Sequence, residues 1–340
     1  MADAQLTGTV ILAYPREGIA EFIPRIHAVM PDVEVHVLPY VGKFGQHIRD
    51  TRSIDELTDE RRAIWGQAEV VLALDLPKGI DELAPNLRWV QAIGAGIDHL
   101  RDCGLPDAVV VTNAAGVAAL PIAEFVIARL LAVWKRLDDL DALQRDHTWK
   151  PTFGSVFDGS TVGVVGLGAI GGEVARLARA LGAHPLGIRR SYQPGDTSPL
   201  TDELFGTDSL HEVLARCDAV VLSAPATPDT ESMFDAAAFA AMKPGSVFCN
   251  VARGSLVDEA ALIASLEEGH LAAAILDVTR AEPLPPDDPL WDAPNIFISP
   301  HSSTSQDRYQ ETLFQLFADN LARYARGDDL RNVVDRSAGY

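Results

Sequence analysis

Residues 161–190, TVGVVGLGAIGGEVARLARALGAHPLGIRR, constrain the fold of this chain more than any other stretch. Residues 162–165 form a short apolar run rich in β-branched side chains, the pattern of a buried strand. Gly166, Gly168 and Gly171 follow at the spacing G-x-G-x-x-G. Ile170, Val174, Leu177 and Leu181 then fall at offsets of 4, 3 and 4, which is one face of a helix. Gly182 stops that helix, and residues 184–188 return as a second strand. A dinucleotide needs this arrangement. Gly166 permits the tight turn, Gly168 lets the backbone approach a pyrophosphate, and Gly171 lets helix and strand pack closely. Ala169 and Ile170 open the helix, whose N-terminus turns N–H groups and a positive dipole end toward phosphates. Alone, the glycine spacing matches many Gly-rich turns. Here the flanking strand and helix supply the context that the mechanism requires.

The rest of the chain repeats the alternation of strand and helix. Strands are expected at 9–14, 33–38, 70–74, 87–93 and 109–112, with helices over 18–30 and 54–66. The fourth strand runs into Gly94-Ala95-Gly96. A long apolar helix over 118–137 separates this series from the Gly-rich one and either links two domains or serves as an assembly surface. After a short loop at 153–159 the second series continues with strands at 219–223, 246–251, 272–276 and 295–298. Such alternation predicts an α/β fold with parallel sheets. A last helix over 306–326 places Leu313, Leu316, Phe317 and Leu321 on one face. It is expected to return to the first domain, which would then be discontinuous. At 340 residues the chain is long enough for two sizeable cores.

Charge narrows the partners. Lys and Arg total 28 against 48 acidic residues, giving a net charge of −20, which disfavours nucleic acid and anionic membrane. Cys103, Cys217 and Cys249 form no close pair and no metal-ligand spacing, so no metal is expected and a reducing compartment is. The N-terminus has no basic start before its apolar run, and no apolar segment approaches the ~18 residues of a membrane span. The expectation is cytoplasmic.

Three ionisable residues stand out by position. Arg253 lies just after a strand in CNVARGSLVDE, Glu282 in LDVTRAEPLP, and His301 after the last strand in ISPHSSTS. All fall at the carboxyl ends of expected parallel strands or in the loops beyond, the edge where open α/β sheets bind ligands. Singly, each has a plainer reading: a salt-bridged Arg, a solvated Glu before Pro, a hydrogen-bonded loop His. Together they fit reduction of a 2-keto acid. A His supplies a proton near neutral pH. A carboxylate beside it stabilises the imidazolium. An Arg offers fixed donors to the substrate carboxylate and carbonyl.

At these residues the chain resembles the D-isomer-specific 2-hydroxyacid dehydrogenase family. The motifs are residues 166–171 (GLGAIG), 250–254 (NVARG), Asp277-Val278 through Glu282-Pro283-Leu284, and Ser299-Pro300-His301. The resemblance implies two Rossmann-like or flavodoxin-like domains, their parallel sheets flanked by helices, with an active site in the interdomain cleft. It implies a substrate domain of 1–113 plus 300–340 and a dinucleotide domain of 114–299. By the same resemblance Arg253 binds and polarises the substrate, His301 is the acid/base and Glu282 orients it. Asp277 holds the nicotinamide carboxamide, Val251 lies along the cofactor, and the N–H groups of Ala95 and Gly96 bind the substrate carboxylate. A homodimer through the helix around 121–136 is implied as well.

NAD-dependent members carry an acidic residue about 20 residues beyond the glycines for the ribose hydroxyls. Here Arg189, Arg190 and Ser191 stand at that point, and arginine suits a 2′-phosphate. Two solvated surface arginines are the plainer alternative. The expected cofactor is NADP(H), with NAD as the alternative. The expected reaction is a glyoxylate- or hydroxypyruvate-reductase-like reduction of a small 2-keto acid to the D-2-hydroxy acid. Phosphoglycerate dehydrogenase activity and a dinucleotide-sensing corepressor on the same fold remain open. Formate dehydrogenases of this superfamily have Gln where Glu282 stands, which argues against them.

Overall fold

The computed structural model describes residues 8–14, 18–38, 57–97, 100 and 103–336. The chain divides into two compact units, Met1–Val117 with Gln306–Tyr340, and Ala118–Ser305.

In the first unit the described strands are β1 (Thr9–Ala13), β2 (Glu34–Val37), β3 (Ala68–Ala73), β4 (Trp89–Ala92) and β5 (Val110–Thr112). They form one parallel sheet in the order β2-β1-β3-β4-β5. Helices α1 (Ile23–Val29), α2 (Asp59–Trp65), α3 (Ile80–Leu83) and the last helix, α10 (Gln306–Arg326), flank it. β1 reads TVILA because both of its faces are buried. Ile11 and Ala13 join Val71, Val90 and Trp65 on one side. Val10 and Leu12 join Val70, Trp89, Phe314 and Phe317 on the other, so α10 covers that face. Phe314 stacks on Phe22 with ring centroids 3.9 Å apart. A buried polar chain runs through this core: Trp89 Nε1 donates to Thr112 Oγ1 (2.8 Å), which donates to Gln91 Oε1 (2.8 Å), which also accepts from Asn320 Nδ2 of α10 (3.2 Å).

The second unit opens with α4 (Ala119–Lys135) and α5 (Leu137–Arg145). Then come β6 (Thr161–Val165), α6 (Ala169–Ala180), β7 (His184–Ile188), β8 (Glu203–Phe205), α7 (Leu210–Leu214) and β9 (Ala219–Leu222). It ends with α8 (Ala236–Ala241), β10 (Val247–Asn250), α9 (Glu259–Glu267), β11 (Ala273–Leu276) and β12 (Ile296–Ile298). The strands form a parallel seven-stranded sheet in the order β12-β11-β10-β9-β6-β7-β8. From β6 the chain moves outward through β7 and β8, then crosses back to β9 on the other side of β6. Strand order therefore reverses between β6 and β9, the switch point where open α/β sheets take dinucleotides. The Gly-rich turn leaves β6 there. Ala123, Val126, Ile127 and Leu130 of α4 share a core with Val174, Ala175 and Ala178 of α6.

The elements depart from the sequence expectations in several places. Leu181, expected on the inner face of α6, lies just past its end and is exposed. The single helix over 118–137 is two, because Arg136 takes a left-handed backbone (φ 54°) that ends α4 and starts α5. The helix over 18–30 starts as a 3-10 turn, Ile19–Phe22, before α1. Part of the helix expected over 54–66 lies outside the described residues. The remainder is capped at Thr58, whose hydroxyl accepts from Arg61 N at 3.3 Å. On α10 the buried set is Leu313, Phe314, Phe317 and Leu321, whereas Leu316 is only half-buried. β8 went unexpected because it is three residues long and carries a single buried side chain, Leu204.

Candidate active site

The turn after β6 shows what each glycine does. Gly166 takes φ 99°, and a Cβ there would lie 2.5 Å from Ala224 N, so neither backbone nor space admits a side chain. A Cβ on Gly171 would lie 2.2 Å from Gly166 O, so the helix packs directly on the turn. At Gly168 the opposite holds, because a Cβ would meet nothing within 4 Å. The backbone is open there, a cradle that a side chain would fill. Gly168 caps α6 without a side-chain hydrogen bond, and no acidic residue stands in the first turn. Ala169 and Ile170 begin the helix beside it. Open backbone, an uncapped 12-residue helix and absence of negative charge fit a dinucleotide pyrophosphate.

β7 ends at Ile188, and Arg189 follows half-buried, with Arg190 and Ser191 exposed. The Arg189 guanidinium is held by Asp196: Nη2 donates to Oδ2 at 2.6 Å, and Gln193 N donates to the same oxygen at 3.1 Å. The Arg189 hydrogen bond, then the Gln193 N–H, hold the Asp196 carboxyl below its ordinary range. Arg189 Nε is buried without a hydrogen-bond partner. Asp196 is invisible to motif reading, because it comes from an irregular loop seven residues on.

After β10, buried Asn250 shapes the next loop. Its Oδ1 accepts from Ala252 N (3.0 Å) and its Nδ2 donates to Arg253 O (2.9 Å). Val251 and Ala252 are thereby buried, and Arg253 is half-buried with Nη1 donating to Ala252 O at 2.7 Å.

His301 sits beyond β12 on a left-handed backbone (φ 50°), a conformation that a non-Gly residue keeps only when its surroundings over-determine it. Asp277 does so. It is 2% exposed, and its carboxylate accepts Ser299 Oγ (2.6 Å), Ser302 N (2.9 Å), Ser303 N (3.0 Å) and Ser303 Oγ, while its carbonyl accepts His301 N (2.8 Å). The family resemblance implies that Asp277 holds the nicotinamide carboxamide. In the structure its carboxylate anchors the loop that carries His301, and the run Ser299, Ser302, Ser303 is the signal that could have revealed it.

Nδ1 of His301 donates to Glu282 Oε2 at 2.9 Å. Oε1 of Glu282 accepts from Thr279 N at 3.2 Å. Burial pushes the Glu282 carboxyl up. The His301 hydrogen bond and charge, the Thr279 N–H and the Arg253 charge outweigh that and hold it below its ordinary range. With Nδ1 committed to Glu282, Nε2 is the ring atom left to exchange a proton with a substrate. Arg253, Glu282 and His301 thus belong to one unit, the last two in direct contact. Ala95 and Gly96 belong to the other, in the turn after β4, where Asn113 Nδ2 donates to Ala95 O at 2.8 Å.

Among the described residues no group of three or more His, Cys, Asp or Glu is placed to hold a metal ion. No described helix is long and apolar enough to cross a membrane.

The pattern of the NAD binding domain of D-isomer specific 2-hydroxyacid dehydrogenases matches residues 127–303. D-3-phosphoglycerate dehydrogenase of Mycobacterium tuberculosis is 36% identical over 259 residues, 75% of this chain and 48% of that protein. The chain therefore spans about half the length of such relatives. Glyoxylate reductase of Korarchaeum cryptofilum is 32% identical over 264 residues, 75% of this chain and 78% of that one. A D-isomer specific 2-hydroxyacid dehydrogenase of Xanthobacter autotrophicus, solved with NADPH and MES, has a TM-score of 0.80 at 28% identity, covering 98% of this chain and 99% of its own. An NADPH-dependent glyoxylate/hydroxypyruvate reductase of Sinorhizobium meliloti, solved with NADP and sulfate, has 0.79 at 29%, covering 98% and 100%. With these matches spanning most of its length, and with the glycine turn and the His301–Glu282 pair in place, the chain belongs to the D-isomer specific 2-hydroxyacid dehydrogenase family.

Proposed function

We propose that the protein reduces a small 2-keto acid to the D-2-hydroxy acid, as a glyoxylate- or hydroxypyruvate-type reductase that prefers NADPH. The single observation that carries the reading is the His301 Nδ1–Glu282 Oε2 hydrogen bond of 2.9 Å, which orients the ring for proton transfer. Gly166, Gly168, Ala169, Ile170 and Gly171, with Val251, would hold the dinucleotide, which would supply the hydride when bound. Arg253 pairs with the substrate carboxylate and draws electron density onto the carbonyl oxygen. His301 delivers a proton from Nε2 to the carbonyl oxygen, and Glu282 steadies the imidazolium charge before the transfer. Oxidation of the hydroxy acid runs the same proton backwards. Asp277 serves this reading by fixing the His301 loop, alongside or in place of contact with the carboxamide.

Arg189 supports NADPH over NADH: a guanidinium at the end of β7 suits a dianionic 2′-phosphate. The Xanthobacter and Sinorhizobium structures with NADPH and NADP agree with that choice. A homodimer through the helix around 121–136 is part of the same reading, and apolar side chains continue beyond its end. Leu137 and Leu140 of α5, and Trp149, Phe153 and Val156 beyond it, stand exposed, Trp149 at 97%.

The 36% identity to a phosphoglycerate dehydrogenase favours a second substrate, a phosphorylated hydroxy acid. One experiment tests both and also the corepressor alternative. Glyoxylate, hydroxypyruvate and 3-phosphohydroxypyruvate are each assayed with NADPH and NADH. Fastest kcat/KM on glyoxylate or hydroxypyruvate with NADPH is the expected result. Preference for the phosphorylated acid would replace the substrate, and no turnover of any would leave a binding protein.

A further inference from the structure

Arg280 stands between the motif residues Asp277-Val278 and Glu282-Pro283-Leu284 and carries no assigned role. Arg280 nevertheless makes more side-chain contacts than its exposed position calls for. Nη1 donates to Glu231 Oε1 (3.0 Å). Nη2 donates to Ser232 Oγ (2.7 Å), Ser255 O (3.0 Å) and Val257 O (3.1 Å). Its backbone N donates to Glu259 Oε1 at 2.6 Å. One guanidinium therefore bridges three segments: its own loop, the 231–232 stretch, and the 3-10 turn Gly254–Leu256 with Val257, which begins directly after Arg253.

The loops that it bridges also touch backbone to backbone. A Cβ on Gly254 would lie 2.0 Å from Thr279 C and 2.3 Å from Arg280 N. Thr279 N is the group that donates to Glu282 Oε1, at 3.2 Å. The Arg253 loop therefore rests on the Thr279–Arg280 peptide, one peptide beyond the Thr279 N–H that holds Glu282, and Glu282 holds His301. Ser232 N and Phe234 N donate to Ser255 O (2.9 Å) and Leu256 O (3.0 Å), so the third segment is laced to the same turn. A guanidinium is suited to this task, because its planar fork serves several acceptors at once where an ammonium acts as a point charge.

We propose that Arg280 is a positioning residue: a strut that sets the Arg253 loop against the Glu282–His301 pair and so fixes the substrate-binding cation relative to the proton donor. The proposal rests on the reading of Arg253 as the substrate cation. Arg280 touches neither substrate nor cofactor in it. Loss of the strut loosens the 253–257 loop and leaves the glycine turn after β6 as it is.

The test uses the full chain as wild type, Arg280→Met, Arg280→Lys and Arg253→Ala. Three quantities are measured: amide hydrogen exchange across 231–234 and 253–257, KM and kcat for glyoxylate and hydroxypyruvate at saturating NADPH, and the Kd of NADPH. Arg280→Met should speed exchange in both segments and raise the keto-acid KM by about tenfold, with kcat less affected, as expected when a binding group is displaced by a fraction of an ångström. Its Kd for NADPH should stay at the wild-type value. Arg280→Lys should fall between the two. Unchanged exchange or unchanged KM in Arg280→Met, with Arg253→Ala impaired, overturns the strut alone. Arg253→Ala without effect on KM overturns the reading beneath it. Weakened NADPH binding in parallel with KM would make Arg280 a general stabiliser of the unit, and the proposal would fall.

Discussion

Glu282→Gln isolates the charge of the His301–Glu282 pair, because glutamine keeps the length and an oxygen that accepts from Nδ1. At about 4 Å, opposite unit charges attract by about 1 kcal/mol in water and about 4 kcal/mol at an effective dielectric of about 20. His301 is 52% exposed and Glu282 35%, which puts the pair near the watery end. An attraction of about 1 kcal/mol follows, at the upper end of exposed pairs. At about 1.4 kcal/mol per tenfold, that is about fivefold. Keto-acid reduction draws its proton from the imidazolium, and the mutation removes the anion that steadies that charge. The kcat/KM for reduction at neutral pH should therefore fall by about fivefold. Stability gives a second reading of the pair. The Glu282 carboxyl is depressed in the fold, so its contribution is full above the ordinary glutamate value of about 4.3 and fades as pH falls through the lower folded value. The Tm gap between wild type and Glu282→Gln should close over that acidic window. A wild-type kcat/KM in Glu282→Gln would refute the coupling and leave Glu282 a structural loop residue.

Arg253→Ala should cut kcat/KM for the keto acid by at least about a hundredfold while the Kd of NADPH holds; near-normal kcat/KM would remove Arg253 from the site. His301→Ala should cost about a hundredfold or more, the scale of a positioned acid, read as kcat at saturating substrate. Arg189→Asp should narrow or reverse the preference for NADPH over NADH in KM, and a wild type that already uses NADH as well would sink the cofactor choice. Gly254→Ala should lower both Tm and kcat/KM, because its Cβ would have to enter the Thr279 peptide at 2.0 Å; a variant of wild-type Tm and kcat/KM would show that the two loops separate without cost.

The legible part of this chain was what periodicity and short motifs encode. The run at 161–190 predicted β6, α6 and β7 because a buried strand, a glycine turn and an amphipathic helix each leave a local pattern. Arg253, Glu282 and His301 could be named because each follows a strand whose apolar run is conspicuous. What joins them could not be read. Asp277 reaches across more than twenty positions to Ser299, Ser302 and Ser303, and Asp196 returns to Arg189 from a loop without periodicity. The break at Arg136 was hidden because an arginine in a left-handed conformation leaves no sequence mark, unlike Gly182, which does. Leu316 was placed with the buried face of α10 because helical spacing alone cannot tell the side of the stripe from its centre, which Phe314 and Phe317 occupy.

The return of α10 to the first unit has a consequence for synthesis. Leu313, Phe314, Phe317 and Leu321 complete the core around Val10, Leu12 and Trp89, and Asn320 closes the polar chain at Gln91. A ribosome working from the N-terminus releases β1 through β5 long before it makes their cover. The unit spanning Ala118–Ser305, by contrast, is continuous and emerges whole. The usual N-terminal-first order of domain folding is therefore inverted: the unit made second matures first. The earlier sheet waits, one apolar face only partly covered by the 19–30 segment, through about 190 further residues, roughly ten to forty seconds at usual elongation rates. During that interval the core lacks Leu313, Phe314, Phe317 and Leu321, and Gln91 lacks its partner Asn320.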